Sequence, residues 1–306
     1  MTWECIIIGA GPAGLTAALY MARFRRKVLV LHDGSARALR IPKTHNAPGF
    51  PDGVTGPDLI ARMSEHATGF GAEVAEAEIV SAQQNGDLFE LLSGDGRSWQ
   101  ARSLILATGV AHNEIKIDTG GHQAAIAAGI LRYCPVCDGY EHIDTAIGVI
   151  GCDSQGAAEA LFLRRFSSDV TLVPLNFAEL DKGELAAMRE VGITVVEHPV
   201  ARLAALPHRL DVYLEGNAQP LSFDVVYPAL GVTPRTGLAA ALGLSFCPSG
   251  ELEMSAPFGT RVEGLYAAGD VVEGLDQISV AMGHGAVAAT KAHNWLRERD
   301  GECLPG

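Results

Sequence analysis

The sequence predicts an α/β protein of two domains, and three observations predict it. The chain has 306 residues, a length that divides most naturally into two domains, each with a sizeable core. A glycine-rich turn, Gly9-Ala10-Gly11-Pro12-Ala13-Gly14, joins an apolar β-branched run to an apolar-striped helical segment. A second strand–helix–strand succession begins near Ala146. Hydrophobic residues at 48% and charged residues at 19% speak against disorder and coiled coil, and 35 glycines imply many tight turns.

The elements follow in order. Trp3 to Ile8 reads as a strand, Pro12 to Phe24 as a helix and Lys27 to Leu31 as the strand that closes a βαβ unit. A glycine turn at such a junction lets backbone approach a pyrophosphate, whose charge the helix N-terminus stabilises. Asp33, just past the second strand, is placed to hold a ribose hydroxyl, and His32 reads as a turn residue. Residues 36–56 are loop-like, with Pro42, Pro48 and Pro51, and a helix from Asp58 to Gly69 is capped near Thr55. Strands are expected at Glu73 to Gln83 and Leu88 to Leu92, around an Asn85-Gly86 turn, and at Ser103 to Ala107 before Thr108-Gly109. A helical stretch precedes Cys134-Pro135-Val136-Cys137-Asp138-Gly139. Strands at Ala146 to Ile150 and Val170 to Val173 then flank a helix from Gln155 to Phe166. Alternating stretches at Gly192 to Glu197, Arg209 to Leu214 and Asp224 to Ala229 complete a smaller domain. Gly264 to Ala268 is a last strand, followed by Gly269-Asp270 and a helix from about Ile278 to Arg297.

A formal charge of −13 disfavours wrapping nucleic acid or an anionic membrane. No run of about 18 apolar residues suggests a membrane span, and the apolar start lacks a basic flank, so a cytoplasmic protein is expected. Six cysteines are too few and scattered for a disulfide scaffold; only Cys134 and Cys137 lie close together. One CxxC is half a zinc site without its second half, so no metal is expected and redox chemistry is the better reading, with a zinc site through His142 or Cys152 or a pair of inert buried thiols as the alternatives. Cys5, Cys152, Cys247 and Cys303 read as packing or surface thiols.

Together, Gly9 to Gly14, Ala107-Thr108-Gly109, Cys134 to Gly139, and Ala268-Gly269-Asp270-Val271 with Gln277 closely resemble the low-molecular-weight thioredoxin reductases, class II flavoprotein disulfide reductases, over nearly the whole chain. The resemblance implies two Rossmann-like FAD/NAD(P)-binding-type domains, the second inserted in the first. The FAD domain would be discontinuous, 1–112 plus 245–306, and 113–244 would carry the redox pair. It also implies a homodimer. Gly9, Gly11, Pro12, Ala13 and Gly14 would hold the FAD pyrophosphate. Asp33, Gly34 and the turn Arg37-Ala38-Leu39 would line its path, with Thr108 and Gly109 at a second close approach. Asn46 would approach the isoalloxazine, Asp270 beside Gly269 would bond the ribityl or phosphate end, and Gln277 and Ile278 would lie beside the ring. Asp276 departs from the arginine usual there. Cys137 would face the flavin, Cys134 would attack the substrate, and Asp138 would protonate a departing thiolate. Cysteines one helical turn apart can close a disulfide, and a helix N-terminus lowers a thiolate pKa. His284, read as lying in a Gly283-His284-Gly285 turn near the flavin, is structural or a proton donor.

The pattern breaks at the second glycine turn. Gly151-Cys152-Asp153-Ser154-Gln155-Gly156 puts a carboxylate where a pyrophosphate needs bare backbone, and Pro174 to Glu179 lacks the arginines that recognise a 2′-phosphate. Arg164 and Arg165 read as solvated. The chain therefore resembles the branch without a working NADPH site, the deeply rooted and ferredoxin-dependent flavin thioredoxin reductases. The expected function is FAD-dependent transfer of electrons from a non-NADPH donor, such as ferredoxin, through Cys134 and Cys137 to thioredoxin or another disulfide. The alternatives are a dithiol oxidase using oxygen, an NADPH enzyme with a remodelled site, and a non-enzymatic FAD-binding sensor.

Overall fold

The apolar run that opens the chain is buried on both faces, as a central parallel strand requires. A computed structural model describes residues 1–151, 153–176, 180–254 and 259–302. In chain order its strands are β1 (Thr2–Ile8), β2 (Val28–His32), β3 (Glu73–Glu76), β4 (Ile79–Asn85), β5 (Leu88–Ser93), β6 (Ser98–Leu106), β7 (Val110–His112), β8 (Ile147–Ile150), β9 (Val170–Val173), β10 (Thr194–Val195), β11 (Val200–Leu206), β12 (Arg209–Leu214), β13 (Leu221–Phe223), β14 (Val225–Pro228), β15 (Val232–Pro234) and β16 (Leu265–Ala267). The helices are α1 (Pro12–Arg23), α2 (Gly56–Gly69), α3 (His122–Ala127), α4 (Pro135–Asp138), α5 (Ser154–Leu163), α6 (Lys182–Glu190), α7 (Gly237–Ala241) and α8 (Ile278–Arg299), with 3₁₀ turns at Arg37–Arg40 and Gly139–His142.

The chain forms two compact units. The first comprises residues 1–43, 47–111 and 233–306, and the second 44–46 and 112–232. The chain re-enters the first unit at 233, where the sequence reading has 245, and Asn46 belongs to the second unit rather than the first.

In the first unit a seven-stranded sheet runs β3-β2-β1-β6-β5-β4, with β16 also on β6. β3, β2, β1, β6 and β16 are parallel, and β4 and β5 add an antiparallel hairpin. Ile6 and Ile8 face a core with Leu29, Leu31, Phe89 and Leu104. Cys5 and Ile7 face the opposite one, where Ala17 and Ala18 of α1 meet Ala288, Ala289 and Ala292 of α8. Alanine seams let these two helices approach closely. Gly285 sets the limit: a Cβ there would lie 2.2 Å from the Ala13 carbonyl oxygen.

Arg26, whose side chain is 8% exposed, ties the unit's start to its end by ion pairs with Glu4 (2.6 Å) and Asp300 (2.6 Å). In the second unit a parallel sheet β10-β9-β8-β14 carries α5, and an antiparallel sheet β11-β12-β13 packs Leu203, Val212 and Phe223 into one core with Ile150, Val173 and Val226 of the parallel sheet.

Three expectations are corrected. The strand expected from Glu73 to Gln83 is two: β3 pairs parallel with β2, and β4 turns to pair antiparallel with β5. Between them Ala77 N–H still donates to His32 O (2.8 Å) before the chain changes partner. His284 lies within α8, not in a turn, because Gly283 and Gly285 keep helical backbone. Arg164 is half-buried rather than simply solvated: at the end of α5 its guanidinium donates to the carbonyls of Val191 (2.7 Å) and Ser167 (3.0 Å).

The two glycines of α8 give a paired prediction. Gly285→Ala should destabilise the protein by about 2 kcal/mol through overpacking against Ala13. Gly283→Ala, where a Cβ meets nothing within 4 Å, should stabilise it by about 0.5–1 kcal/mol. Thermal unfolding of both variants should show shifts of opposite sign.

Candidate functional site

The first glycine turn is shaped by two demands, one from inside the chain and one from outside. Gly9 has φ +114°, and a Cβ on it would sit 2.1 Å from the Ala107 carbonyl oxygen; a Cβ on Gly14 would sit 1.9 Å from that of Gly9. Packing alone dictates glycine at both positions. A Cβ on Gly11 meets nothing within 4 Å, yet Gly11 is the N-cap of α1 and caps it with no side chain. The first N–H groups of α1, preceded by Pro12 at its first turn, thus face open space that an anion can fill. Gly269 closes the other side, where a Cβ would lie 2.7 Å from that of Ala13. A glycine that the fold itself does not need, at an uncapped helix start, fits the FAD pyrophosphate.

The remaining cradle residues of the first unit are held by charge. Asp33 accepts from the Ser35 N–H (2.9 Å) and hydroxyl (2.7 Å) and pairs with Arg235 (3.4 Å). Partial burial pushes its pKa up, but the Ser35 bonds and Arg235 outweigh it and keep the carboxylate ionised. Gly34 N–H donates to His32 Nδ1 (3.1 Å), which makes His32 part of the turn. Thr108 donates to the Arg235 carbonyl (2.7 Å), and the Gly109 carbonyl accepts from Arg235 N–H (2.9 Å).

Arg37 forks between Asp270 (2.9 Å) and Asp276 (3.0 Å). Sequence reasoning singled out all three residues without finding the fork. Burial and the neighbouring Asp270 raise the Asp276 pKa to about 6 despite Arg37, and burial raises that of Asp270. Ala38 is buried, Leu39 is exposed, Gln277 is the N-cap of α8, and Ile278 packs against Ala47, Val54 and Leu59. Burial holds the half-buried His284 below the usual imidazole pKa, so it is neutral near pH 7.

In the second unit, Cys134 and Cys137 form a disulfide with Cα atoms 5.3 Å apart. Cys134 is the N-cap of α4, and Cys137 N–H donates to its carbonyl (3.0 Å). α4 is a single turn, so it offers little of the macrodipole expected to lower a thiolate pKa.

Asp138 follows directly, 7% exposed, with Oδ1 accepting from the Tyr227 hydroxyl (2.7 Å) and Oδ2 paired with Arg132 Nε (3.3 Å). Burial raises its pKa to about 6, against the pull of Arg132 and Tyr227. Such a carboxyl is partly protonated near neutrality, as an acid that hands a proton to a leaving thiolate must be. Asn46 accepts from Thr44 Oγ1 (2.8 Å) in this same unit.

The second glycine turn repeats the first with one change. A Cβ on Gly151 would lie 2.7 Å from the Ala229 carbonyl oxygen, and one on Gly156 1.7 Å from that of Gly151. The middle position is Asp153, N-cap of α5, whose carboxylate accepts from Gly156 N–H (2.8 Å). A side chain of the protein thus holds the helix start that Gly11 leaves open on α1.

Of the other cysteines, Cys5 is fully buried, which pushes its thiol up to about 12. Cys247 donates to Glu273 (3.2 Å), which raises it to about 11. Cys152, Cys303 and residues 177–179 lie outside the described residues. No helix among the described residues is long and apolar enough to cross a membrane.

Comparison with known proteins agrees with this geometry. The pyridine nucleotide-disulphide oxidoreductase family matches residues 3–285. The chain belongs to that family. It is 33% identical to the thioredoxin reductase of Streptomyces coelicolor over 95% of this chain and 93% of that one. It is also 33% identical to the bifunctional thioredoxin reductase/thioredoxin of Mycobacterium leprae, over 97% of this chain and 67% of that one. Among solved structures, HlmI superposes with a TM-score of 0.90 at 28% identity, covering 98% of this chain and 94% of that one. The thioredoxin reductase of Streptococcus pyogenes superposes with a TM-score of 0.86 at 25% identity, covering 97% and 99%. The family member described here is a flavoprotein disulfide oxidoreductase of the thioredoxin-reductase type, with FAD as its cofactor.

Two predictions follow from the site. Gly11→Asp would copy the Asp153 cap onto α1; it should fold with native-like circular dichroism and lose most of its bound flavin, read as the visible-to-ultraviolet absorbance ratio after purification. The second concerns pH. Above pH 6 the folded chain carries a desolvated Asp138 charge that the unfolded chain hydrates, so acidification through 6 favours the folded state at this residue. Denaturant unfolding at pH 5 and 7.5 should therefore show the stability difference between wild type and Asp138→Asn moving toward wild type at pH 5, by about 1–2 kcal/mol.

Proposed function

We propose that this family member transfers electrons from a donor other than NADPH, through FAD and the Cys134–Cys137 pair, to thioredoxin or a similar disulfide, and that it works as a cytoplasmic homodimer. The observation that carries the donor assignment is the Asp153 cap. Its carboxylate takes the Gly156 N–H at the start of α5 and places negative charge where a dinucleotide pyrophosphate would dock. The segment after β9, Pro174-Leu175-Asn176-Phe177-Ala178-Glu179, also contributes no cation for a 2′-phosphate. Among donors, a one-electron protein carrier such as ferredoxin fits best, because FAD when bound accepts electrons singly or in pairs.

The chain's own residues account for the exchange half of the cycle. In the reduced pair, the Cys134 thiolate attacks a substrate disulfide, and the S–S bond breaks as the mixed disulfide forms. The departing sulfur keeps the electron pair and takes a proton from Asp138. Cys137 then attacks Cys134 and releases the second substrate thiol, so one protein dithiol is oxidised for each substrate disulfide reduced. Support for thioredoxin as the substrate comes from the similarity to thioredoxin reductases.

Anaerobic titration of the yellow protein tests this reading. Micromolar NADPH or NADH should leave the flavin absorbance unchanged, and reduced ferredoxin should bleach it. Asp153→Gly should gain measurable dinucleotide binding, and Cys137→Ser should accumulate a mixed disulfide between Cys134 and the substrate. Rapid bleaching of the wild type by micromolar NADPH would overturn the donor assignment. Bleaching by dithiol with steady peroxide formation in air would mark a dithiol oxidase instead.

A further inference from the structure

We propose that Tyr227 is a positioning residue for disulfide exchange: its hydroxyl, together with Arg132, holds the Asp138 carboxyl in place and sets how readily it yields its proton. The proposal rests on exchange chemistry at Cys134 and Cys137 and is independent of which donor reduces the flavin.

Tyr227 lies in β14, which pairs in parallel with β8 at the end of its sheet, and is completely buried. A strand buried on both faces ordinarily carries aliphatic side chains there, as its neighbours Val225 and Val226 do. A phenol in that position needs a partner for its O–H, and it has one: Asp138 Oδ1 at 2.7 Å. The other carboxyl oxygen faces Arg132 Nε at 3.3 Å, from the segment just before the cysteines. One carboxyl is therefore gripped from two sides, by the floor of the sheet and by the chain that leads into the redox pair. Because Asp138 directly follows Cys137 in the chain, fixing this carboxyl holds the acid beside the redox pair at which the substrate disulfide is attacked.

The charged and titratable groups facing Asp138 are Arg132, Tyr227 and Glu141. Arg132 and the phenol favour the ionised carboxyl; burial and Glu141 favour the protonated one. Tyr227 itself does not ionise in the working range, since burial and the Asp138 charge raise its pKa, so it acts as a donor throughout. His142 lies edge-on to the Tyr227 ring at 6.1 Å, and burial and Arg132 hold it below the usual imidazole pKa, which keeps a second positive charge away from the carboxyl. Removing the Tyr227 hydroxyl should have two effects: the carboxyl is held less firmly, and its proton is released at higher pH.

The test uses the flavin-loaded protein, reduced with dithiothreitol, desalted without oxygen and mixed with either of two disulfides. Bis(2-hydroxyethyl) disulfide releases a basic alkyl thiolate that needs a proton as it leaves. Dithiobis(nitrobenzoate) releases an aryl thiolate that is stable as the anion. The ratio of the alkyl to the aryl rate cancels the ionisation of the attacking sulfur and isolates the acid. In wild type this ratio should fall as pH rises through about 6.

In Tyr227→Phe the plateau of the ratio should drop roughly five- to tenfold, the loss of one hydrogen bond, and its midpoint should move up by about one pH unit. Arg132→Gln, which leaves the core intact, should move the midpoint the same way. Combining Tyr227→Phe with Asp138→Asn should add little to Asp138→Asn alone. An unchanged ratio and midpoint in both variants, or equal slowing of both disulfides, would overturn the proposal by reducing Tyr227 to packing. Failure of the wild type to exchange with either disulfide would overturn the enzymatic reading and this proposal with it.

Discussion

The structure depends on a steric constraint: at two strand-to-helix turns, the helix begins so close to the strand that only hydrogen fits where a Cβ would be. Gly9 and Gly14 meet this demand in the first unit, Gly151 and Gly156 in the second. The close approach aims the first backbone N–H groups of α1 and α5 over the carboxyl ends of their parallel strands. The chemistry collects at those ends. Asp33 follows β2, Thr108 follows β6, Asp270 follows β16, and Tyr227 lies within β14.

The same scaffold then receives opposite electrostatic treatment. On α1 the N-cap is a bare glycine, and the unmet N–H groups invite an anion from outside. On α5 the N-cap is Asp153, and the invitation is answered internally. Capping by aspartate stabilises a helix by about 1 kcal/mol, so the second unit gains rigidity at the position where its fold could have bound a ligand. Arg37 shows a related economy. It pairs with two half-buried carboxylates, Asp270 and Asp276, at once, which offsets the repulsion between them.

Much of the fold was legible because its signals are local and mutually consistent. Gly9-Ala10-Gly11-Pro12-Ala13-Gly14 specifies a strand, a turn and a helix, and the observed β1, α1 and β2 fall within a residue or two of the expected limits. Cys134 and Cys137 announce themselves by spacing. What was not legible depends on partners distant in sequence. Glu73 to Gln83 alternates like one strand, and only the competition between β2 and β5 for its edges breaks it. His284 between two glycines reads as a turn until Ala13, far back in the chain, explains why Gly285 must be small within a helix. Tyr227 in a run of apolar residues looks like core, and nothing near it in sequence points to Asp138. The capping box of α6, formed by Asp181 and Glu184, carried a local signal in Asp181-Lys182-Gly183-Glu184 that would have found that helix.

The alanine seam between α1 and α8 sets an order of events during synthesis. Residues of β1 and α1 cannot complete their core until α8, more than 250 residues further on, has emerged from the ribosome, and β16 joins β6 only shortly before that. Residues 112–232 hold both of their own sheets without that wait. The half of the molecule that is made in the middle is therefore the first able to fold, and the half that is begun first is the last to be finished.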